Sequence, residues 1–278
     1  MCEKPMPHIA LVTGAASGIG RCVALECAKR QWKLVIVDVN EAGLNAVSDE
    51  IKAAYSVEVH PFVINLAEHD AAEKVLEFCD QKGLEVDFLA NIAGIFAFGP
   101  LIDVDPKRTD LMLDLHVKTV TRMSVLFGER MRQKRFGFIM NMASMSAWMP
   151  MPGIVTYNAT KAYVRSMTRA LGYELKPWNV GVTAVCPGGC NTPLLPIDDK
   201  LRNMAVRFGF LMSPEKLAKK AVQATLKKKA QTIPGWMNHI FTAMIVLIPD
   251  WLVMFLMKRV KPYHRFFPSK EEQQSAES

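Results

Sequence analysis

The stretch Thr13-Gly14-Ala15-Ala16-Ser17-Gly18-Ile19-Gly20 directly follows the apolar run Ile9–Val12 and opens an amphipathic segment with helical periodicity. Gly14 permits a tight turn, Gly18 lets the backbone approach a pyrophosphate, and Gly20 allows close packing of the helix on the strand. The N-terminus of the helix would face the negatively charged phosphates. This stretch therefore predicts a strand, a phosphate-binding turn and a helix, the opening unit of a dinucleotide-binding fold.

Strand and helix patterns continue to alternate beyond this turn. The short apolar runs suit strands buried on both faces of a sheet, and the longer amphipathic segments suit helices that cover it. We expect an α/β fold, a Rossmann-type doubly wound parallel sheet with helices on both faces and an apolar C-terminal helical extension. Strands are predicted at Ile9–Val12, Leu34–Val37, Val57–Ile64, Val86–Ala90, Phe138–Met142 and Val180–Val185, and helices at about 18–31, 41–54, 68–82, 106–133, 155–176 and 213–228.

The composition is that of a globular protein, with 278 residues of which half are apolar. A chain of this length buries enough surface to fold without disulfides or a structural metal. Its six cysteines lack paired or metal-ligand spacing, so we expect reduced, packed thiols and no metal site. The net charge of +7 is concentrated in residues 200–265, which hold 13 basic and 2 acidic residues. Residues 1–199, by contrast, hold 20 basic and 22 acidic residues.

Asp38 ends the second predicted strand, 18 residues beyond Gly20. A carboxylate there can accept hydrogen bonds from both ribose hydroxyls of an adenosine, and it would repel a 2′-phosphate. The sequence therefore favours NAD over NADP. Two other interpretations remain open: Asp38 could cap the following helix, and Arg21 could reach across to a phosphate.

Tyr157 and Lys161 lie four residues apart and therefore on one face of a predicted helix. The pKa of a free tyrosine, about 10, is too high for proton exchange with an alcohol at neutral pH. A nearby ammonium group and a cationic nicotinamide ring would both favour the phenolate. The alternative is a surface aromatic residue beside a solvated lysine.

Together these motifs resemble the short-chain dehydrogenase/reductase family, whose first turn has the pattern TGxxxGxG. The resemblance covers about residues 8 to 195. Its other motifs follow in the family's order: Asn91-Ile92-Ala93-Gly94 after the fourth strand, Ser144 after the fifth, Tyr157-Asn158-Ala159-Thr160-Lys161, and Pro187-Gly188 with Thr192.

The resemblance implies reversible hydride transfer between a nicotinamide cofactor and an alcohol or ketone. Tyr157 would be the general base in the oxidative direction, Ser144 would stabilise the substrate oxygen, and Lys161 would bind the nicotinamide ribose and lower the pKa of Tyr157. Ser144 and Tyr157 would contact the substrate. The cofactor residues that it implies are Gly14, Ser17, Gly18, Ile19, Gly20, Asp38, Asn65, Leu66, Asn91, Ala93, Gly94, Tyr157, Lys161, Pro187, Gly188 and Thr192.

One position departs from the family pattern. The helix before the catalytic strand usually carries an asparagine that anchors a water in the proton relay, and this chain has His116. Imidazole can also bind water, and it titrates near neutrality. The alternative is that His116 only packs between helices.

Apolar residues surround the expected substrate entrance, which favours a lipophilic alcohol or ketone, such as a lipid, steroid or retinoid-like molecule. Ordinary packing of a lid is the alternative. A carbonyl reductase of small non-lipid substrates and a catalytically silent dinucleotide-binding regulator are the other functions considered. The apolar residues are Leu194, Leu195, Met204, Phe208, Phe210, Leu211 and Met212, with Trp148, Met149 and Met151 approaching from the catalytic loop.

Residues 240–257 contain a single charge, Asp250, and Pro249-Asp250 interrupts their middle. Two short apolar helices on an anionic membrane surface fit this pattern, with peripheral contact through residues 236–261. A spanning helix, packing on a second subunit and a cover over the substrate cleft are the alternatives. The residues expected at headgroup depth are Trp236, Trp251, Phe255 and Tyr263.

The expected organisation is a catalytic domain over residues 1–232 with a lid at about 189–215, an apolar and basic extension over 233–265, and a polar tail over 266–278. Met1 to His8 is too short for a secretory signal, so we expect a cytosolic body. A homo-oligomer is expected. Nucleic acid is disfavoured because the basic residues flank an apolar stretch and no aromatic-interleaved groove is evident.

Overall fold

The computed structural model describes residues 8–148, 151–190, 212–245 and 247–259, together with Tyr263 and Phe266. Its strands are β1 (Ile9–Thr13), β2 (Lys33–Asp38), β3 (Val59–Val63), β4 (Phe88–Asn91), β5 (Gly137–Met142), β6 (Val180–Val185) and β7 (Gln231–Thr232). Its α-helices are α1 (Gly18–Ala28), α2 (Glu41–Tyr55), α3 (Ala71–Gln81), α4 (Pro106–Leu113), α5 (Val120–Gln133), α6 (Val155–Leu175), α7 (Pro214–Leu226), α8 (Trp236–Ile245) and α9 (Asp250–Arg259).

The seven strands described form one parallel sheet in the order β3-β2-β1-β4-β5-β6-β7. The chain moves outward from β1 to β3 and then returns to β4 on the other side of β1. This reversal opens a crevice at the carboxyl ends of β1 and β4, where ligands bind in sheets of this type. The expected doubly wound α/β fold is confirmed.

Helices cover both faces of the sheet because successive strand residues point in opposite directions. In β2, Leu34 and Ile36 belong to one buried cluster, whereas Val35 and Val37 belong to the other. All four side chains are fully buried. Burial on both faces explains why the strands appear in the sequence as unbroken apolar runs.

The predicted strands and helices are present, with two differences. The helix predicted over 106–133 consists of α4, a π-helical turn at Asp114–Thr119, and α5. The short strand β7 was not predicted, since two residues are too few to show periodicity. At the start of α7, Ser213 accepts a hydrogen bond from the backbone N–H of Lys216, as the capping signal indicated.

The C-terminal extension forms two helices, α8 and α9, which are separated at Pro249. No helix among the described residues is long and apolar enough to cross a bilayer. The five cysteines in the described ranges are buried free thiols. Residues 191–211, which include most of the predicted lid, lie outside the described part of the chain, as does most of the predicted tail.

Candidate active site

A cleft of about 470 Å³ lies beside the glycine-containing turn and the loop that follows β4. Ten of the predicted cofactor residues line it: Gly14, Ser17, Gly18, Ile19, Gly20, Asp38, Asn65, Leu66, Ala93 and Gly94. It also includes residues that the sequence did not indicate, namely Val39, Ile64, Ile92, Ile95, Leu111 and Leu115. These are ordinary apolar residues, and only their position in the fold shows that they line a cleft.

The turn fits a dinucleotide because two of its glycines allow close backbone approach. Gly14 has a left-handed backbone (φ 68°), and a Cβ there would lie 2.9 Å from Cα of Ala93. A Cβ on Gly20 would lie 1.9 Å from the carbonyl oxygen of Gly14. A side chain at Gly14 would push the turn away from the loop after β4, and one at Gly20 would push α1 away from the turn. Because both residues are glycines, the start of α1 remains accessible to phosphates.

Thr13 holds this arrangement together, although the sequence analysis gave it no role. Its hydroxyl accepts hydrogen bonds from the backbone N–H groups of Ile92 and Ala93, at 2.9 and 3.1 Å. It also donates one to the carbonyl oxygen of Ala90 at 3.3 Å. Thr13 therefore ties the end of β1 to the loop after β4.

Asp38 joins the glycine-containing turn to the start of the following helix. Its carboxylate accepts hydrogen bonds from the backbone N–H groups of Ala16 and Asn40, each at 3.0 Å. Asn40 rather than Asp38 caps α2, and Arg21 forms a two-pronged ion pair with Glu50.

Asn91, predicted as a cofactor-binding residue, is not among the residues that line this cleft. It is 3% exposed, and its amide donates to Oδ1 of Asn141 at 2.8 Å. Asn141 in turn donates to the hydroxyls of Ser124 and Thr168, at 3.2 and 3.0 Å. Asn91 therefore belongs to a buried polar network that joins β4, β5, α5 and α6.

A second cleft, of about 350 Å³, adjoins the first and shares Ile19, Ile92, Gly94 and Ile95 with it. It brings together most of the remaining predicted site residues: His116, Ser144, Tyr157, Lys161, Pro187 and Gly188. Thr192 lies outside the described residues. Side chains from β5, α6 and the π-helical turn thus meet beside the glycine loop.

The phenol of Tyr157 lies in the second cleft. Burial raises its pKa above 10, and a hydrogen bond with Ser144 partly opposes this. Lys161 is the residue expected to lower this pKa. Its Nζ atom donates to the carbonyl oxygen of Met142 at 2.9 Å and lies 5.6 Å from the centre of the Tyr157 ring. Burial lowers the pKa of Lys161 itself to about 8.

His116 is 1% exposed and packs edge-on to Tyr157, with 5.8 Å between ring centres. Its Nε2 accepts a hydrogen bond from the backbone N–H of Ile95 at 3.0 Å. Its Nδ1 lies 3.0 Å from the hydroxyl of Thr160. The ring therefore connects the loop after β4 with the helix that carries Tyr157.

The second cleft has an apolar wall that includes Phe96 and Phe98. Phe96 packs edge-on against Tyr157, and Phe98 packs against Tyr263 and Phe266 from the C-terminal segment. Met151 lines this cleft as predicted.

Other residues predicted at the substrate entrance have different positions. Trp148 stacks on Arg165, whose guanidinium carbon lies 4.0 Å from the ring centre. Met212 packs against the core beside β6 and α7, and its N–H donates to Gly189. Leu194, Leu195, Met204, Phe208, Phe210 and Leu211, together with Met149, lie outside the described residues.

Comparison with known proteins places this geometry in a family. The model of the short chain dehydrogenase family matches residues 8–200. The chain is 31% identical over 217 residues to the 3-oxoacyl-acyl-carrier-protein reductase of Thermotoga maritima, covering 76% of this chain and 87% of that protein. It is 28% identical over 250 residues to the human very-long-chain 3-oxoacyl-CoA reductase, covering 88% of this chain and 77% of that protein.

Two solved structures at 30% identity share the fold. The 3-ketoacyl-acyl-carrier-protein reductase of Brucella melitensis, complexed with NADH, superposes with a TM-score of 0.72 and covers 81% of this chain and 96% of its own. The second structure is a protein of Beutenbergia cavernae assigned as an NAD(P)-dependent gluconate 5-dehydrogenase, with bound NADP at low occupancy. It superposes with a TM-score of 0.73 and covers 81% of this chain and 93% of its own. Since the family match spans more than half of the chain, this protein is an oxidoreductase of the short chain dehydrogenase family.

Proposed function

We propose that this protein transfers hydride reversibly between a nicotinamide cofactor and a hydrophobic secondary alcohol or ketone. The observation that carries the proposal is the meeting of Ser144, Tyr157 and Lys161 in one cleft that adjoins the glycine-lined cleft. A proton donor and a reacting carbon could thus be held beside a bound dinucleotide. When bound, the cofactor supplies or accepts the hydride.

The residues that would hold the cofactor surround the first cleft. The turn from Gly14 to Gly20 would bind the pyrophosphate, and Asp38 would accept hydrogen bonds from the adenosine ribose. Lys161 would bind the nicotinamide ribose, because it lines the adjoining second cleft and the carbonyl oxygen of Met142 holds its ammonium group. Pro187 and Gly188 also line the second cleft and would lie beside the nicotinamide.

Tyr157 is proposed as the acid and base of the reaction. Since burial raises the pKa of its phenol, Tyr157 keeps its proton at neutral pH and can donate it to a substrate carbonyl oxygen in the direction of reduction. In the reverse direction it accepts the hydroxyl proton. Ser144 hydrogen-bonds with Tyr157 and can also hold the substrate oxygen, which aligns this oxygen with the phenol.

The test is Tyr157→Phe, assayed with a long-chain secondary alcohol and NAD and with the corresponding ketone and NADH. Loss of the proton carrier should lower kcat about a thousandfold. Binding of NADH, followed by its fluorescence, should be unchanged. The matched control is Tyr163→Phe on the same helix, whose hydroxyl contacts Thr121 outside the cleft. Equal activity of Tyr157→Phe and Tyr163→Phe would refute the role of Tyr157.

NAD is the proposed cofactor, since Asp38 places a negative charge at the end of β2, beside the first cleft. A 2′-phosphate near this carboxylate would be repelled. The related structures contain NADH in one case and NADP in the other, so the family as a whole accommodates both.

A hydrophobic substrate is proposed because apolar side chains line much of the second cleft, including Phe96, Phe98, Met145 and Met151. The human relative is named for a very-long-chain acyl substrate. Mass spectrometry of small molecules that remain bound to gently purified protein would test this proposal. Recovery of lipophilic alcohols or ketones would support it, and recovery of polar ligands alone would count against it.

We also propose that the C-terminal extension contacts an anionic membrane surface. Its two helices expose apolar side chains next to the basic residues Lys258 and Arg259, an arrangement that complements anionic lipid. The exposed residues are Phe241, Met244, Leu247, Ile248, Trp251, Met254 and Phe255. Tyr263, expected at the same depth, packs instead against Phe98 and Phe266, and the side chain of Trp236 lies outside the description.

Sedimentation with phosphatidylcholine vesicles, with and without phosphatidylserine, tests the membrane contact. The double variant Trp251→Ser/Phe255→Ser should lose the binding that depends on phosphatidylserine. Tyr173→Ser is the control, because Tyr173 is also an exposed aromatic residue but lies on α6. If the double variant instead dissociates an oligomer in size-exclusion chromatography and leaves sedimentation unchanged, this surface is a subunit interface.

A further inference from the structure

His116 uses both of its ring nitrogens within the protein. A backbone N–H can only donate, so the 3.0 Å contact from Ile95 makes Nε2 an acceptor. The proton of the neutral ring must then be on Nδ1, which donates to the hydroxyl of Thr160 at 3.0 Å. Thr160 in turn donates to the carbonyl oxygen of Tyr157 at 2.9 Å. This sequence of hydrogen bonds leaves no ring nitrogen available to a water molecule.

The surroundings of the ring also keep it neutral. Burial lowers the pKa of His116 well below 6.5, and the positive charge of Lys161 lowers it further. The titratable groups that face the ring are those of Lys161 and Tyr157, both on α6. Protonation would place a second positive charge beside Lys161 and would break the hydrogen bond from Ile95.

His116 and Gly94 also match in size. A Cβ on Gly94 would lie 2.7 Å from Nε2 of His116, closer than non-bonded atoms can approach. Gly94 therefore leaves the space that the imidazole fills. With a smaller side chain at position 116 this clash would not arise, and position 94 would not have to be a glycine.

The contacts of His116 join the two clefts. Gly94 and Ile95 line both of them, whereas Thr160 belongs to the helix that carries Tyr157 and Lys161. The ring lies in the π-helical turn Asp114–Thr119, where local widening of the helix is often associated with function. A rigid link at this point fixes the distance between the loop after β4 and the phenol.

We infer that His116 is a positioning residue that fixes Tyr157 relative to the cofactor loop through Ile95 and Thr160, and that its ring takes no part in proton transfer. The inference deepens the proposed function and rests on it for the effect on turnover. Its hydrogen bonds and its fit against Gly94 can be tested without turnover.

The first experiment compares His116→Gln with His116→Leu. The glutamine amide can accept from Ile95 and donate to Thr160 but cannot titrate, whereas leucine fills the space without either hydrogen bond. We expect kcat of His116→Gln to remain within about threefold of wild type with an unchanged pH profile, and kcat of His116→Leu to fall by about 30-fold or more, with similar NADH binding. An inactive glutamine variant, or an ionisation that is lost from its pH profile, would show that the imidazole carries protons.

The second experiment does not depend on activity. Nitrogen-15 NMR of the histidine rings should show His116 with its proton on Nδ1 from pH 8 down to about 5. Gly94→Ala should lower Tm, and the additional change His116→Ala should recover part of the loss because it removes the clashing ring. Titration of His116 near neutrality, or additive losses in Tm, would overturn the inference even if Tyr157 proves to be the catalytic acid.

Discussion

The carboxylate of Asp38 accepts a hydrogen bond of 3.0 Å from the backbone N–H of Ala16, in the middle of the glycine-containing turn. A single side chain therefore holds the turn and places a negative charge beside the first cleft. Since Ala16 precedes the N-terminus of α1, this bond also stabilises the position from which the helix would face phosphates. The proposed preference for NAD and the shape of the turn therefore rest on the same residue.

Asp38→Asn is expected to shift the cofactor preference towards NADP. The amide oxygen can still accept from Ala16, but the amide NH2 cannot accept from Asn40, so Tm should fall slightly. The charge that repels a 2′-phosphate is lost. We expect the ratio of kcat/KM for NADP to that for NAD to rise about tenfold, which corresponds to about 1.4 kcal/mol. Asp49→Asn, at an exposed position on α2, is the control. An unchanged ratio would mean that Asp38 acts only on the turn.

Lys161 should make stability rise at alkaline pH. Its pKa is lowered to about 8, so between that value and about 10.5 the unfolded chain binds more protons at this site than the folded protein does. The free energy of unfolding of wild type, relative to Lys161→Met, should therefore increase by about 2 kcal/mol between pH 7.5 and 10. Urea unfolding of both proteins across this range measures the difference. A constant difference would show that Lys161 stays charged in the folded state.

Asn141 lies at the centre of the buried polar network. Asn141→Leu removes the hydrogen-bond acceptor of Asn91. It also removes the amide that donates to the hydroxyls of Ser124 and Thr168. The expected loss is about 3 kcal/mol of unfolding free energy, or roughly 5 °C in Tm. Asn45→Leu on the exposed surface of α2 should cost far less. Similar losses from the two variants would show that the network contributes nothing to stability.

Gly153 supports the aromatic wall of the second cleft. It has a φ of 84°, and a Cβ there would lie 2.6 Å from Phe98 and 3.0 Å from Phe266. Gly153→Ala should therefore cost more than the backbone strain of about 1 kcal/mol, and it should raise KM for a long-chain alcohol. Gly83→Ala isolates the strain, because Gly83 has a φ of 64° but open space around its Cα. Equal losses in Tm, with no change in KM, would contradict the steric argument.

Local patterns predicted most of the fold. Strands buried on both faces produce apolar runs, and the turn after β1 depends on glycines that have to lie together in the sequence. The pairing of Tyr157 with Lys161 could also be predicted from the sequence, because helical spacing alone puts them on one face.

The directions of several side chains could not be predicted in this way. Asn91 follows the expected pattern but turns into the sheet, because Asn141 and Ser124 offer it buried hydrogen-bond partners. Trp148 and Tyr263 are aromatic residues in the expected segments, yet one stacks on Arg165 and the other packs edge-on against Phe98. Each of these contacts joins residues far apart in the chain.

The sequence by itself determined the doubly wound sheet, the glycine turn and the pairing of Tyr157 with Lys161, because these depend on periodicity and on short spacings. Only the tertiary structure decided what their surroundings do to them. Burial raises the pKa of Tyr157 and lowers that of Lys161, and the hydrogen bonds of His116 occupy both of its nitrogens. Desolvation and hydrogen-bond partners arise from contacts between distant segments, which no local pattern records.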